Sequence, residues 1–361
     1  MIKAREYLQK ISPYKPGKPI EEVARLLKLQ GEIIKLASNE NPLGTSPLAL
    51  QAMRKALRDS SYYPDDNCYY LKEKLAKYHG LKAENIFVGN GSVEILPLLT
   101  LAYLGPGTTG VASASAFIWF KIAVHISAAD IIEAPMKNYT HDLEAVRTAI
   151  RPDTRLVYIA NPNNPTGTMV NRQELEAFLR RIPDHVLVIL DEAYGEYIDD
   201  PSFPSGLDYF RKGKNVVILH SFSKIYGLAG VRVGYALAAP EVVASLSKLR
   251  ISFNVNRLSQ VAAMAALDDV RHIRRGKAVN DAGKAFLSQA YRKLGLFFLP
   301  TFANFFFVDF AKDSQLVFEA LQRRGVITRT IKEYGFPNAL RITIGTEEQN
   351  ERLIRTLKRV L

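Results

Sequence analysis

From about residue 86 the chain alternates short apolar runs with longer amphipathic stretches. Ile86-Phe87-Val88, Leu156-Val157-Tyr158-Ile159-Ala160, Val186-Leu187-Val188-Ile189-Leu190 and Val216-Val217-Ile218-Leu219 are unbroken apolar segments of strand length. Runs without polar alternation belong to strands covered on both faces. Asp130 to Ala134 reads as a further strand, and Val233 to Leu237 as one running antiparallel to its neighbours. Helical spacing follows from about Ser92 and again over Arg172 to Arg181. Strands separated by helices predict an α/β fold with a mostly parallel sheet sandwiched by helices.

Past residue 240 the pattern changes. One long helical stretch is predicted from Pro240 through the 280s. A strand at Phe305 to Phe310, a helix near Gln315 to Arg324, a strand at Leu340 to Ile344 and a helix from Glu347 to Leu361 follow. These elements predict a smaller α+β domain over residues 251–361. Residues 39–250 form the large domain, and residues 1–38 form a proline-punctuated arm that also contributes to the small domain. Ile95 to Phe120 carries no charge, but Pro97 and Gly105-Pro106-Gly107 divide it into a helix, a turn and a second apolar run. Each piece is too short to cross a bilayer, so no membrane association is expected.

Composition changes this picture little. The 361 residues, 47% apolar and 23% charged, are ordinary for a two-domain globular enzyme. The formal charge of +12 is compatible with phosphorylated ligands. Its densest stretch, Arg271 to Lys277, has no interleaved aromatics and reads as a solvated helix face, so no nucleic-acid partner is expected. A single cysteine, Cys68, excludes an intrachain disulfide and suits a reducing cytoplasm. The six histidines show no zinc-like spacing, and no metal is expected. The first residues lead into no long apolar run, so no secretory signal is expected.

Candidate chemistry gathers where strands end. Lys224 lies in Ser221-Phe222-Ser223-Lys224, directly after an apolar strand, with Arg232 close behind. Open α/β sheets place ligands at that edge. An amine near other cations and partly desolvated has a lowered pKa and becomes a nucleophile, the property needed for a Schiff base to pyridoxal phosphate. Three more segments sit at the same edge. Gly89-Asn90-Gly91-Ser92-Val93-Glu94 can bind phosphate through backbone amides at a helix start. Asn161-Pro162-Asn163-Asn164-Pro165-Thr166-Gly167 holds an amide donor on a rigid path suited to a ring oxygen. Asp191-Glu192-Ala193-Tyr194 brings a carboxylate out of a buried strand, which is costly unless it is paired, and a protonated pyridine nitrogen is such a partner. Tyr194 can donate to the same ring oxygen as Asn164.

With these segments in hand the chain resembles the fold-type I, class-II-like aminotransferases, and within them is most similar to the histidinol-phosphate aminotransferases. The resemblance runs over nearly the whole length and includes Ala37-Ser38-Asn39-Glu40-Asn41-Pro42, Tyr63-Pro64-Asp65 and Leu340 to Thr346. It implies pyridoxal 5'-phosphate as cofactor and Lys224 as its covalent attachment and proton carrier. Ser221, Ser223, Arg232 and the Ser92-Val93 backbone would hold the cofactor phosphate. Asp191 would pair with the ring nitrogen, Asn164 and Tyr194 would bind the ring oxygen, and Phe117 would stack on the ring. Tyr63 would reach the cofactor phosphate across a homodimer interface. Arg341, Arg329, Tyr14 and Asn39 would contact substrate.

The reaction implied is transfer from L-histidinol phosphate to 2-oxoglutarate. An aromatic amino acid aminotransferase and a decarboxylase of the phosphothreonine type share these motifs and stay open. Four positions depart from the family pattern. Val93 stands where aspartate is usual, Ser115-Ala116 replaces Pro-Thr/Ser, and the same segment ends in Phe120 where tyrosine is common.

Overall fold

The computed structural model describes residues 2–361 except Ala4, residues 14–16 and Lys18. Its centre is a seven-stranded sheet. The strands are β1 (Ile86–Gly89), β2 (Thr109–Ser113), β3 (Asp130–Ala134), β4 (Thr154–Ala160), β5 (Leu187–Asp191), β6 (Val216–Ser221) and β7 (Gly234–Leu237). Their spatial order is β1-β7-β6-β5-β4-β2-β3. Only β7 is antiparallel to its neighbours, as its sequence predicts. The other six therefore present their C-terminal ends along one edge.

Side chains alternate between two apolar cores, one on each face. Val88, Val157, Ile159, Val188, Leu190 and Ile218 face one; Phe87, Leu156, Tyr158, Leu187, Ile189, Val217 and Leu219 face the other. Both faces being covered explains why the strands read as unbroken apolar runs.

The second apolar run of the charge-free stretch begins with β2. The long helix expected after residue 240 is in fact three: Pro240–Leu249, Arg257–Asp268 and Val270–Lys293. Asn256 and Asp269 cap the second and third by accepting from the Ser259 and His272 amides, and such caps start new helices. Ala262, Ala263, Ala266 and Leu267 of the middle helix join the large-domain core. That helix, past residue 250 in sequence, packs with the large sheet.

The small domain is built on a four-stranded antiparallel sheet of β8 (Phe297–Phe298), β9 (Phe305–Asp309), β10 (Arg329–Ile331) and β11 (Phe336–Thr343), in the order β8-β9-β11-β10. Ile34 and Leu36 of the N-terminal segment pack into its core beside Leu287, Phe306 and Leu353. Among the described residues no helix is long and apolar enough to cross a membrane.

Candidate active site

A cavity of about 240 Å³ opens where the C-terminal edge of the large sheet meets the small domain. Lys224, Asp191, Tyr194, Asn164, Ser92, Val93, Phe117, Ser221, Ser223 and Arg232 line it from the large domain. Arg341, Arg329 and Asn39 face it from the other side. Ser92, Phe117, Asn164, Tyr194 and Lys224 meet here because each follows a strand whose C-terminal end lies at this edge.

Lys224 is half-buried, its amine 3.3 Å from the Ser38 carbonyl and 5.5 Å from the centre of the Tyr194 ring. Desolvation, then the charge of Arg341, brings its pKa from 10.5 down to about 8. A lysine with its pKa lowered this far has an appreciable free-amine fraction at neutral pH and is a usable nucleophile. Asp191 is buried, and burial raises its pKa. Its hydrogen bonds come from the Tyr158 hydroxyl at 2.7 Å and the Ala193 amide at 3.1 Å, neither of them a cation. A carboxylate so placed is ready to take a cationic partner from the cavity.

The cations form two groups. Arg232 donates to the Ala229 carbonyl at 2.8 Å and lies 3.4 Å from Ser223 Oγ. It borders Gly91, the residue before the Ser92–Tyr103 helix, whose first residues, Ser92 and Val93, line the same cavity. Gly91 has φ +82, and a Cβ there would come within 2.4 Å of Arg232 Nη2. Only glycine leaves the guanidinium and the helix amides free to surround one anion.

The second group lies across the cavity. Arg329 of β10 and Arg341 of β11 are cross-strand partners in register. Arg341 donates to Asn164 Oδ1 at 2.6 Å and the Ala37 carbonyl at 2.7 Å, while its buried Nε has no hydrogen-bond partner among the described residues. Arg329 pairs with Glu333 at 2.6 Å. Like charges opposed across a ladder repel, so this pairing favours an anion in front of it.

The sequence of residues 31–357 matches the family model "Aminotransferase class I and II". The chain belongs to that family. Over 360 residues it is 50% identical to the histidinol-phosphate aminotransferase of Moorella thermoacetica, spanning 99% of this chain and 93% of that protein. Histidinol-phosphate aminotransferase 2 of Pseudomonas aeruginosa is 46% identical over 359 residues, 99% of this chain and 97% of that one. The crystal structure of histidinol-phosphate aminotransferase from Sinorhizobium meliloti in complex with pyridoxal-5'-phosphate superposes with a TM-score of 0.91 at 27% identity. That match covers 100% of this chain and 98% of the other. The expected fold class, the type I fold of pyridoxal-phosphate transferases, is the one found.

Among the described residues, one expected site residue of this aminotransferase does not line the cavity. Tyr63 is 78% exposed and stacks on Phe253 at 4.5 Å, outside its own chain's cavity. Tyr14 lies outside the described residues. Asn39 has φ +58 and is tied at both ends: its Nδ2 donates to the Tyr194 hydroxyl at 2.9 Å and its Oδ1 accepts from Thr343 at 3.1 Å. It therefore orients Tyr194 as well as bordering the cavity.

Sequence reasoning missed Glu40 and Tyr158. Glu40 lines the cavity, is paired with Lys35, and opposes the depression of the Lys224 pKa. Its place in Asn39-Glu40-Asn41 was the available signal. Tyr158 was hidden inside an apolar strand.

Proposed function

We propose that this aminotransferase carries the amino group of L-histidinol phosphate to 2-oxoglutarate, giving imidazole acetol phosphate and L-glutamate, with pyridoxal 5'-phosphate as cofactor. The carrying observation is a lysine with a pKa near 8 standing between two separate cationic groups in one cavity. One group suits the cofactor phosphate, the other the phosphate of the donor or a carboxylate of the acceptor. The residues fit the cofactor: Gly91 leaves the cup that a Cβ would fill, and the buried Asp191 awaits a cation.

In this reading Ser92 and Val93 offer backbone amides, and Ser221, Ser223 and Arg232 complete the phosphate cup. Val93 loses a side chain that aspartate would supply but keeps its amide. Asp191 holds the ring nitrogen protonated, Asn164 and Tyr194 donate to the ring oxygen, and Phe117 packs on the ring face. When bound, the cofactor supplies the carbonyl that takes up the amino group and the ring that draws electrons from the adjacent carbon. The Lys224 amine removes the proton from the amino-bearing carbon and returns it on the cofactor side. Arg341 and Arg329, with Asn39 beside them, hold the substrate anion and so orient that carbon, and Tyr14 is a further substrate contact in this reading.

The enzyme is taken to be a cytoplasmic homodimer, with Tyr63 of each copy completing the other's phosphate cup. Exposed Tyr62, Tyr63, Tyr70 and Ile251, each more than 70% accessible, support a partner surface there.

The test is a donor panel with 2-oxoglutarate as acceptor and Lys224→Ala as control. Turnover of L-histidinol phosphate well above phenylalanine supports the reading. Turnover of phenylalanine alone replaces it with an aromatic aminotransferase, and release of carbon dioxide from phosphothreonine replaces it with a lyase.

A further inference from the structure

The Asp191 carboxylate is held by more than its own strand. Tyr158, two residues before the end of β4, donates its hydroxyl to Asp191 Oδ2 at 2.7 Å, while the Ala193 amide takes Oδ1. Both carboxylate oxygens are thereby anchored, and the plane of the group is fixed. Tyr158 is itself fully buried, borders the cavity and lies parallel to Phe120, with centroids 4.9 Å apart and ring planes at 10°. The hydroxyl of this stacked pair thus belongs to the strand residue and is aimed at the acid.

We infer that Tyr158 is a positioning residue: its hydroxyl holds the Asp191 carboxylate, charged and oriented, for the ring nitrogen of pyridoxal phosphate. The inference rests on the cofactor reading above. A buried carboxylate without a cation tends to take up a proton, and it must be ionised to pair with a protonated ring. A donated hydroxyl opposes that uptake, and the Tyr158 contact does lower the Asp191 pKa against the larger effect of burial. The other titratable groups around this pair are Lys224 after β6, Glu192 and Tyr194 after β5, and Tyr334 of the small domain. Of these, the Lys224 charge also favours the ionised acid.

Four cofactor-free proteins test the idea: wild type, Tyr158→Phe, Asp191→Asn and the double variant. Each is titrated with pyridoxal phosphate across the acidic to neutral range by cofactor absorbance, with thermal melting to follow the fold. Tyr158→Phe keeps the stack on Phe120 and removes one oxygen. It should bind the cofactor about tenfold more weakly, the scale of a lost hydrogen bond to a charged group. The loss of binding at acid should also move to higher pH. Adding Tyr158→Phe to Asp191→Asn should change nothing further. Equal affinity and an unmoved acid limb in Tyr158→Phe would overturn the inference. So would an equal loss in both backgrounds with a lowered melting temperature, which would make Tyr158 structural only. Failure of the wild type to bind the cofactor would sink the functional reading with it, so the two failures are distinguishable.

Discussion

Replacing Gly91 with alanine tests the phosphate cup with a single methyl group. Gly91 has φ +82 and ψ 158, a region open essentially to glycine alone, so alanine costs about 1–3 kcal/mol in backbone strain. The added Cβ would stand 2.4 Å from Arg232 Nη2. Ordinary contact needs about 1 Å more, so the guanidinium must retreat from the helix amides. A hydrogen bond to a charged group is worth about 1.5–3 kcal/mol, which corresponds to about 10- to 100-fold in affinity. Gly91→Ala should therefore bind pyridoxal phosphate weaker by that factor, measured by absorbance titration of the cofactor-free protein. Pyridoxal without its phosphate should bind both proteins alike, because Lys224 and Asp191 lie outside the clash. Undiminished affinity for pyridoxal phosphate would refute the assignment of this cup, as would an equal loss for both compounds.

Four other perturbations reach different parts of the site. Arg341→Ala leaves Arg329 facing the substrate anion alone and should lower kcat/KM for L-histidinol phosphate about 100-fold, with lysine restoring little of it because it lacks the planar fork; steady-state kinetics checks this. Capture of pyridoxal phosphate by the cofactor-free protein should quicken as pH rises through about 8 and then level off, since Lys224 loses its proton there; a rate still climbing toward 10.5 would contradict the lowered pKa. Because that pKa is lower in the folded chain than in the unfolded one, the charged amine is a cost below pH 8 that fades between about 8 and 10.5. Lys224→Met should relieve up to about 3 kcal/mol of it at neutral pH, less what cavity water screens, in denaturant unfolding compared across pH. Tyr63→Ala and Lys224→Ala subunits mixed together should regain one competent site per dimer, seen as activity that neither variant shows alone.

The sheet was largely legible because β4, β5 and β6 are buried on both faces and so are apolar without interruption. β2 was not, since Thr109-Gly110-Val111-Ala112-Ser113 is built of small residues. Its reason is tertiary: a Cβ on Gly110 would lie 2.9 Å from Val124 and 3.2 Å from Phe120, on the helix packed against it. The breaks at Asn256 and Asp269 were visible as capping residues, but the apolar spacing on either side concealed them. At the site, Lys224, Asp191, Asn164 and the Gly91 turn could be found because each follows a readable strand. The Arg329–Arg341 opposition could not, because cross-strand register is set by the folded sheet and not by local pattern. Tyr158 shows the same limit from inside a strand: its ring reads as core, and only the neighbour on β5 reveals what its hydroxyl does.

The central claim is that Lys224 is the amine joined to the cofactor. Borohydride reduction of the holoenzyme, followed by peptide mass mapping, tests it directly. The pyridoxyl phosphate mass should appear on Lys224 alone and vanish in Lys224→Ala; the same mass on another lysine, or its persistence in that variant, would contradict the account.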